Sequence, residues 1–322
     1  MVRGGLHSGG GATVARPVVL PVSVRVGIGW GPFGGNDLSP DRFFGFVEWI
    51  EELGYDSIWL SDSATLGGPA PLVTLAAVAA RTRRLKLGTN VLVAPARNPV
   101  LLAKELATVD ALSEGRLLPA FGLGIDTEPE AGAIGVARSE RAARTAETIE
   151  IVRLLWGGGP VTYSGRFASF AGVTLSPAPI RPGLDIWLGG SSPAALRRTG
   201  RLADGWIGSF VSPGELTACV QRIGEAAADA GREIDDDHYG TTLFAAPSLD
   251  ELPPQARSLL SLRPDLAFDD HVAIGTAALR ALVERFVEAG ASKFVVIPMA
   301  DDSHSWLERI RVEAVELVEQ CA

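Results

Sequence analysis

Short apolar runs alternate with helical stretches along most of this 322-residue chain, and that alternation limits the fold more than any other feature. Apolar runs at 24–29, 56–60, 85–93, 116–122, 185–188, 205–208, 239–245 and 294–298 read as eight strands. Helical spacing fills the intervals. A helix opening at Ser39-Pro40 carries Phe43, Val47 and Ile50 inward and stops at Gly54, and one from Pro99 carries Leu102, Leu106 and Val109 and stops at Gly115. Further helices are predicted over 71–82, 138–156, 213–230, 276–289 and 304–319, with a less regular one over 252–262. Eight strands alternating with helices over this length define an α/β chain of the (β/α)8 TIM-barrel class. An open doubly wound sheet is the competitor. It would carry a glycine fingerprint running from the first strand directly into a helix, whereas Gly27-Ile-Gly-Trp-Gly31 opens into a long loop. The stretch 157–183 breaks the rhythm. Its runs at 161–167 and 171–175 are predicted to form a β-hairpin inserted between strands four and five. Residues 1–22 are glycine-rich and are expected to be a disordered extension, leaving 23–322 as a single domain.

Charge narrows the partners. A net charge of −9 with a pI near 5.1 gives no long-range attraction to nucleic acid or to an anionic membrane surface. No apolar run approaches the roughly 18 residues that a membrane helix needs. Cys219 and Cys321 are the only cysteines and have neither metal-ligand nor redox spacing, which fits a cytoplasmic protein with reduced thiols. His7, His238, His271 and His304 are not spaced as a ligand pair on a helix, so no metal site is expected.

A barrel of this kind places its chemistry at the C-terminal ends of its strands. Candidates are therefore Trp30 after the first strand, Asp62 and Ser63 after the second, and Thr89, Asn90 and Val91 at the third. Gly122, Leu123 and Gly124 follow the fourth, Gly189, Gly190, Ser191 and Ser192 the fifth, and Asp301, Asp302 and His304 the eighth. Glycines and small residues dominate these positions. That suits a flat cofactor pressed against backbone better than a hydrolase with a nucleophile–base pair. The stretch Leu184-Asp-Ile-Trp-Leu-Gly-Gly-Ser-Ser-Pro193 has the form of a buried strand turning through two glycines into a helix with Ser192 as N-cap and Pro193 at N1. Such a helix end offers N–H groups and a positive dipole to an anion, most often a phosphate. A plain strand-to-helix turn is the other reading. Asp62 is either a cofactor ligand or a loop cap, His304 an acid–base group or a solvated neighbour of a helix cap, and Trp30 a pocket wall or packing.

Five stretches carry a family resemblance: Glu52-Leu-Gly-Tyr-Asp-Ser-Ile-Trp-Leu-Ser-Asp62, Leu87-Gly-Thr-Asn-Val-Leu-Val-Ala-Pro-Ala-Arg-Asn-Pro99, the run from Ala103 to Arg116, Trp187-Leu-Gly-Gly190, and Arg201-Leu-Ala-Asp-Gly-Trp206. In order and spacing they resemble the luciferase-like (bacterial luciferase) superfamily, and within it the branch of coenzyme F420-dependent oxidoreductases. The resemblance implies a deazaflavin in the mouth of the barrel and hydride exchange between its ring and a small, partly hydrophobic substrate. It also implies a homodimer, a cis peptide at Asn90–Val91, and cofactor contacts from Asp62, from Gly122–Gly124 and from the Gly189–Ser192 turn. Asp62 and Ser63 are the candidate catalytic residues. Asp110 and Arg116, both in the third stretch, are expected to form a structural ion pair. Two positions depart from the family pattern. Ser63 stands where many relatives have His, and Ile125 where some dehydrogenases have Glu. A side-chain acid–base step is therefore in question, while hydride delivery to an activated alkene or imine would need only positioning and water. An FMN-dependent monooxygenase and a non-catalytic flavin-binding barrel remain as alternatives.

Overall fold

The first strand, Arg25–Trp30, pairs in parallel with Ser57–Leu60 on one side and with Lys293–Pro298 on the other. Pairing continues in one direction through Lys86–Thr89 to Leu117–Leu118. In the other it runs through Tyr239–Ala246, Gly205–Ser209 and Trp187–Gly189 to Ala120–Gly122, which pairs with Leu92–Val93. Lys86–Thr89 and Leu92–Val93 are two halves of the third strand, and Leu117–Leu118 and Ala120–Gly122 two halves of the fourth. The ring thus closes on eight parallel strands, as the alternation predicts. The computed structural model describes residues 24–30, 39–65, 68–181, 183–253, 263–299, 307 and 310. The expected extension over 1–22, the predicted helix over 304–319 and most of that over 252–262 lie outside these residues.

Period-two alternation divides the side chains of the strands between two cores. Trp59, Leu118, Trp187, Ile207, Phe244, Val295 and Ile297 fill the lumen, while Ile28, Ile58, Leu87, Phe121, Leu188 and Val296 face the helices. Two tryptophans fit into the lumen because the residue paired with each on the adjacent strand is glycine. A Cβ on Gly88 would fall 2.2 Å from the Trp59 ring, and one on Gly205 2.4 Å from the Trp187 ring. The Trp59 indole donates to Ser57 Oγ at 2.8 Å. The Trp187 indole N–H, also buried, has no acceptor among the described residues.

The outer helices start where the sequence marks them. Pro40–Glu52, Pro71–Arg81, Pro99–Leu112, Pro193–Leu202 and Pro213–Asp229 each have proline in the first turn, where its missing N–H costs no helical bond. Asn98 accepts from the Val100 and Leu101 amides, and Ser212 and Glu215 complete a reciprocal capping box. The hairpin Val161–Ser164 and Ser169–Val173 packs on Arg138–Trp156, whose Glu147 takes the Phe167 and Ala168 amides of the turn at 2.9 and 2.8 Å.

Four local expectations change. The third strand is not continuous over 85–93. It breaks at Asn90–Val91, the peptide that the resemblance marks and that is cis here. The fourth breaks at Pro119, which has no N–H for the ladder, although its carbonyl still accepts from Trp187 N at 2.9 Å. A short helix, Glu130–Ile134, and an extra strand, Val272–Ile274, paired to Tyr239–Ala246, were not foreseen. The Asp110–Arg116 ion pair does not form. Asp110, fully buried, instead accepts from the Ile180 amide at 2.9 Å and faces Arg181 at 3.9 Å. Arg116 turns the other way and donates to the carbonyls of Ala79, Thr82, Leu85 and Ser113 and to Thr82 Oγ1. Both residues are structural, with different partners.

Candidate functional site

Val91 brings the ends of three strands together. Its isopropyl group lies where side chains on strands four and five would otherwise stand. A Cβ on Gly122 would come within 2.4 Å of Val91 Cγ2, and one on Gly189 within 3.1 Å of Val91 Cγ1. Val91 is half-buried, so one face of it stays open. Gly124 follows in a left-handed conformation, φ 77°, where a Cβ would meet Ile134 at 2.5 Å and Val93 at 3.0 Å. Leu123, between the two glycines, is half-buried. These glycines are therefore set by packing against Val91, Val93 and Ile134 as much as by any ligand.

Asn90 ties the third strand across the mouth. Its side-chain amide donates to Thr242 Oγ1 at 2.9 Å, which also receives the Ser209 hydroxyl at 3.0 Å. Its carbonyl accepts from Ser61 Oγ at 3.0 Å. Thr89 is fully buried, and its hydroxyl both donates to the Ala120 carbonyl at 2.8 Å and accepts from the Ala120 amide at 2.9 Å. That side chain is committed to joining strands three and four. It has no free face for a ligand.

Asp62 holds the segment just past the break. One oxygen, Oδ2, accepts from the Val93 amide at 2.9 Å and from Arg97 at 2.9 Å. No partner of Oδ1 stands among the described residues, so Asp62 acts as a loop anchor and still has an acceptor to offer. Ser63 is engaged otherwise. It donates to Glu130 Oε2 at 2.9 Å and accepts from the Thr65 amide at 3.2 Å. Glu130 is the residue that sequence reasoning missed. It is buried in the unforeseen short helix and also accepts from the Ala64 and Thr65 amides and the Thr65 hydroxyl, at 3.0, 3.0 and 2.6 Å. Burial pushes its carboxyl up, but the hydrogen bonds from Thr65, Ala64 and Ser63 outweigh this and hold it below the usual carboxylate range. Glu130 is therefore ionised at neutral pH. It is an acceptor for the loop and not a proton donor.

The fifth strand ends in the predicted turn. Gly190 adopts φ 98°, which only glycine takes without strain, and its carbonyl accepts from the Trp206 indole at 3.0 Å. Ser192 caps Pro193–Leu202 by accepting from Ala195 N at 3.2 Å. Gly190, Ser192 and Ala194 are exposed and Ser191 half-exposed, so this helix N-terminus faces open space. Trp30 is buried against Phe43 and Phe46 at centroid distances of 5.2 and 4.9 Å, which is packing. Asp301, Asp302 and His304 lie outside the described residues. Asp235, Asp237 and His238 bring one ligand atom each within 4.8 Å of one another, but Asp237 is held by Arg25 at 2.9 Å and His238 by the Asp204 carbonyl at 2.7 Å.

A closed parallel barrel with glycine-lined strand ends and an open helix N-terminus on one rim belongs to the class of (β/α)8 barrels that bind at the strand C-termini. Residues 20–318 match the model of the luciferase-like monooxygenase family, and the chain belongs to that family. An F420-dependent glucose-6-phosphate dehydrogenase of Nakamurella multipartita is 32% identical over 279 residues, covering 81% of this chain and 79% of the relative. Among solved structures, an F420-dependent secondary alcohol dehydrogenase superposes with a TM-score of 0.77 at 18% identity, over 90% of this chain and 98% of the other. Monooxygenase RslO1 from Streptomyces bottropensis gives 0.74 at 22% identity, over 92% and 100%. At those identities the two structures speak for the fold alone.

Proposed function

We propose that this chain is an F420-dependent oxidoreductase that moves a hydride between the deazaflavin and a small, partly hydrophobic organic substrate. The observation that carries the reading is the joint position of Val91, Gly122, Gly189 and Gly190. A half-open aliphatic surface lies beside backbone with no Cβ, next to the exposed helix N-terminus of Ser192. A side chain at Gly122 or Gly189 would push Val91 out of this surface, and one at Gly190 would crowd Ala195. Val91 would support one face of the ring, Asp62 Oδ1 and the Leu123 region would flank it, and the Gly190–Ser192 turn would take its phosphate. Bound there, the deazaflavin supplies a two-electron hydride donor or acceptor. The 32% identity to an F420-dependent dehydrogenase supports the choice of cofactor.

The chain's own proton-handling groups at this rim are few. Ser63 is tied to Glu130, Asp62 Oδ2 to Arg97, and Ile125 offers no acid. The reading therefore favours an activated alkene or imine, with water as the proton source, over a sugar phosphate or simple alcohol. Residues 23–322 act as one domain in this reading, and a cytoplasmic homodimer is its expected form. No helix among the described residues is long and apolar enough to cross a membrane. The test is a spectroscopic titration of purified protein with F420 and, separately, FMN. Saturation with F420 at micromolar concentration supports the proposal. A protein that ignores high-micromolar F420 and retains FMN through purification overturns it in favour of the monooxygenase alternative.

A further inference from the structure

The opposite end of the barrel holds a cavity of about 130 Å³ that no part of the proposed reaction uses. Its walls come from the N-terminal ends of the strands. Arg25, Lys86, Trp187 and Lys293 each open a strand, Arg116 and Leu118 lie at the start of the fourth, and His238 immediately precedes Tyr239. Gly115, Arg181 and Asp185 complete it. Strand geometry puts this floor on the far side of the lumen from Asn90, Gly122 and Gly190, with Trp59 and Trp187 filling the space between.

Five cations converge on the floor, and among the described residues they are unevenly paired. Arg25 pairs with Asp237 at 2.9 Å, and Asp56 serves both Lys86 at 3.1 Å and Lys293 at 3.4 Å. Arg181 reaches Asp110 only at 3.9 Å, and Arg116 spends its guanidinium on carbonyls and a hydroxyl, with no carboxylate within ion-pair distance among the described residues. Among the described residues, Glu51 and Glu114 act on Arg116, and Asp185 on Arg181, only by longer-range attraction, and His238 adds a further polar ring. Donors are also in surplus. The buried indole N–H of Trp187 and Arg181 Nε have no acceptor among the described residues, and the Lys293 ammonium, almost fully buried, has a long contact to Asp56 and lies 5.9 Å from the Trp187 ring centroid. A buried donor without an acceptor is costly.

We infer that this floor cavity is a binding site for a small tetrahedral oxyanion of the phosphate or sulfate class. Its volume is ample, since a water occupies about 30 Å³ of liquid. A tetrahedral oxyanion presents several acceptors at once to Lys86, Lys293, Arg25, Arg181 and the Trp187 N–H, which fits an arrangement rich in fixed donors. The site is separate from the Gly190–Ser192 turn and does not depend on the identity of the cofactor.

Thermal unfolding of the full chain, without cofactor, in inorganic phosphate against chloride at matched ionic strength tests this. A saturable rise in Tm with phosphate and not with chloride is expected. The Arg25→Gln/Lys86→Gln double variant, both of whose positions are partly exposed, should weaken the apparent phosphate affinity at least about ten-fold. Crystals soaked in selenate should show an anomalous peak between Lys86 and Lys293. Glycerol phosphate in place of inorganic phosphate separates the sources: equal binding assigns the site to a phosphate head group, and weaker binding to the free ion, both supporting it. Three results overturn the inference. They are an identical response to phosphate and chloride, unchanged affinity in the double variant, and selenate found only at the Gly190–Ser192 turn. A floor peak without solution saturation below about 10 mM marks an adventitious ion only, and also overturns it.

Discussion

Gly122 and Val91 compete for one volume. With 2.4 Å between Val91 Cγ2 and the position a Gly122 Cβ would take, Gly122→Ala forces either the isopropyl group or the strand to move. Overpacking of this kind costs about 1–3 kcal/mol. The expected outcome in urea unfolding is a loss of that size for Gly122→Ala, largely recovered when Val91→Ala is added. An additive pair of losses would show that the two side chains do not share this space. Much of this was hidden from sequence. The glycines could be read as room for a ligand, but that Val91 takes part of the room depends on a contact between residues 31 apart. Asp62 was legible as a site position for the same reason it was ambiguous. An aspartate after a strand can serve a loop and a ligand together, and here one oxygen does the first while the other stays available. The Asp110–Arg116 pairing failed because opposite charges near one another in sequence say nothing about side-chain direction. Arg181, 71 residues from Asp110, takes the place expected for Arg116.

Elements with their own start signals were read nearly to the residue. Helices at 40, 71, 99, 193 and 213 begin with proline, and at 99, 193 and 213 the preceding Asn or Ser caps them, local rules that need no tertiary knowledge. Glu130–Ile134 escaped because five residues give no periodicity. Val272–Ile274 escaped because it exists only by pairing with Tyr239–Ala246. The short helix matters out of proportion to its length, since Glu130 fixes the loop that follows the second strand. In Glu130→Gln one acceptor oxygen becomes an NH2 group facing donors. The expected cost is about 1–3 kcal/mol, with faster hydrogen exchange at the Ala64 and Thr65 amides at pH 7. The carboxyl of Glu130 lies below its ordinary value, so its stabilisation is complete above that value and is lost only as pH falls through the lowered one. Unchanged exchange in the variant would remove Glu130 from this role.

Across the whole molecule, charge is distributed against the net. A chain of −9 concentrates cations at one end of its barrel. Composition gave the sign of the total and could not give this placement, because strand N-termini far apart in sequence meet only when the ring closes. Burial pushes the Lys293 ammonium down to about 8, against the opposing pull of Asp56. The folded value lies below the unfolded one, so the unfolded chain holds the extra proton between about 8 and 10.5, and stability from this group rises with pH across that window. Denaturant unfolding from pH 7.5 to 10 should therefore show a steeper upward trend in the native chain than in Lys293→Met. Parallel trends would mean that the ammonium is not desolvated.

The paired tryptophans in the lumen have a kinetic corollary. They plug the barrel along its axis, so no solute can pass through, and whatever is admitted at the glycine-lined rim must back out by the same opening.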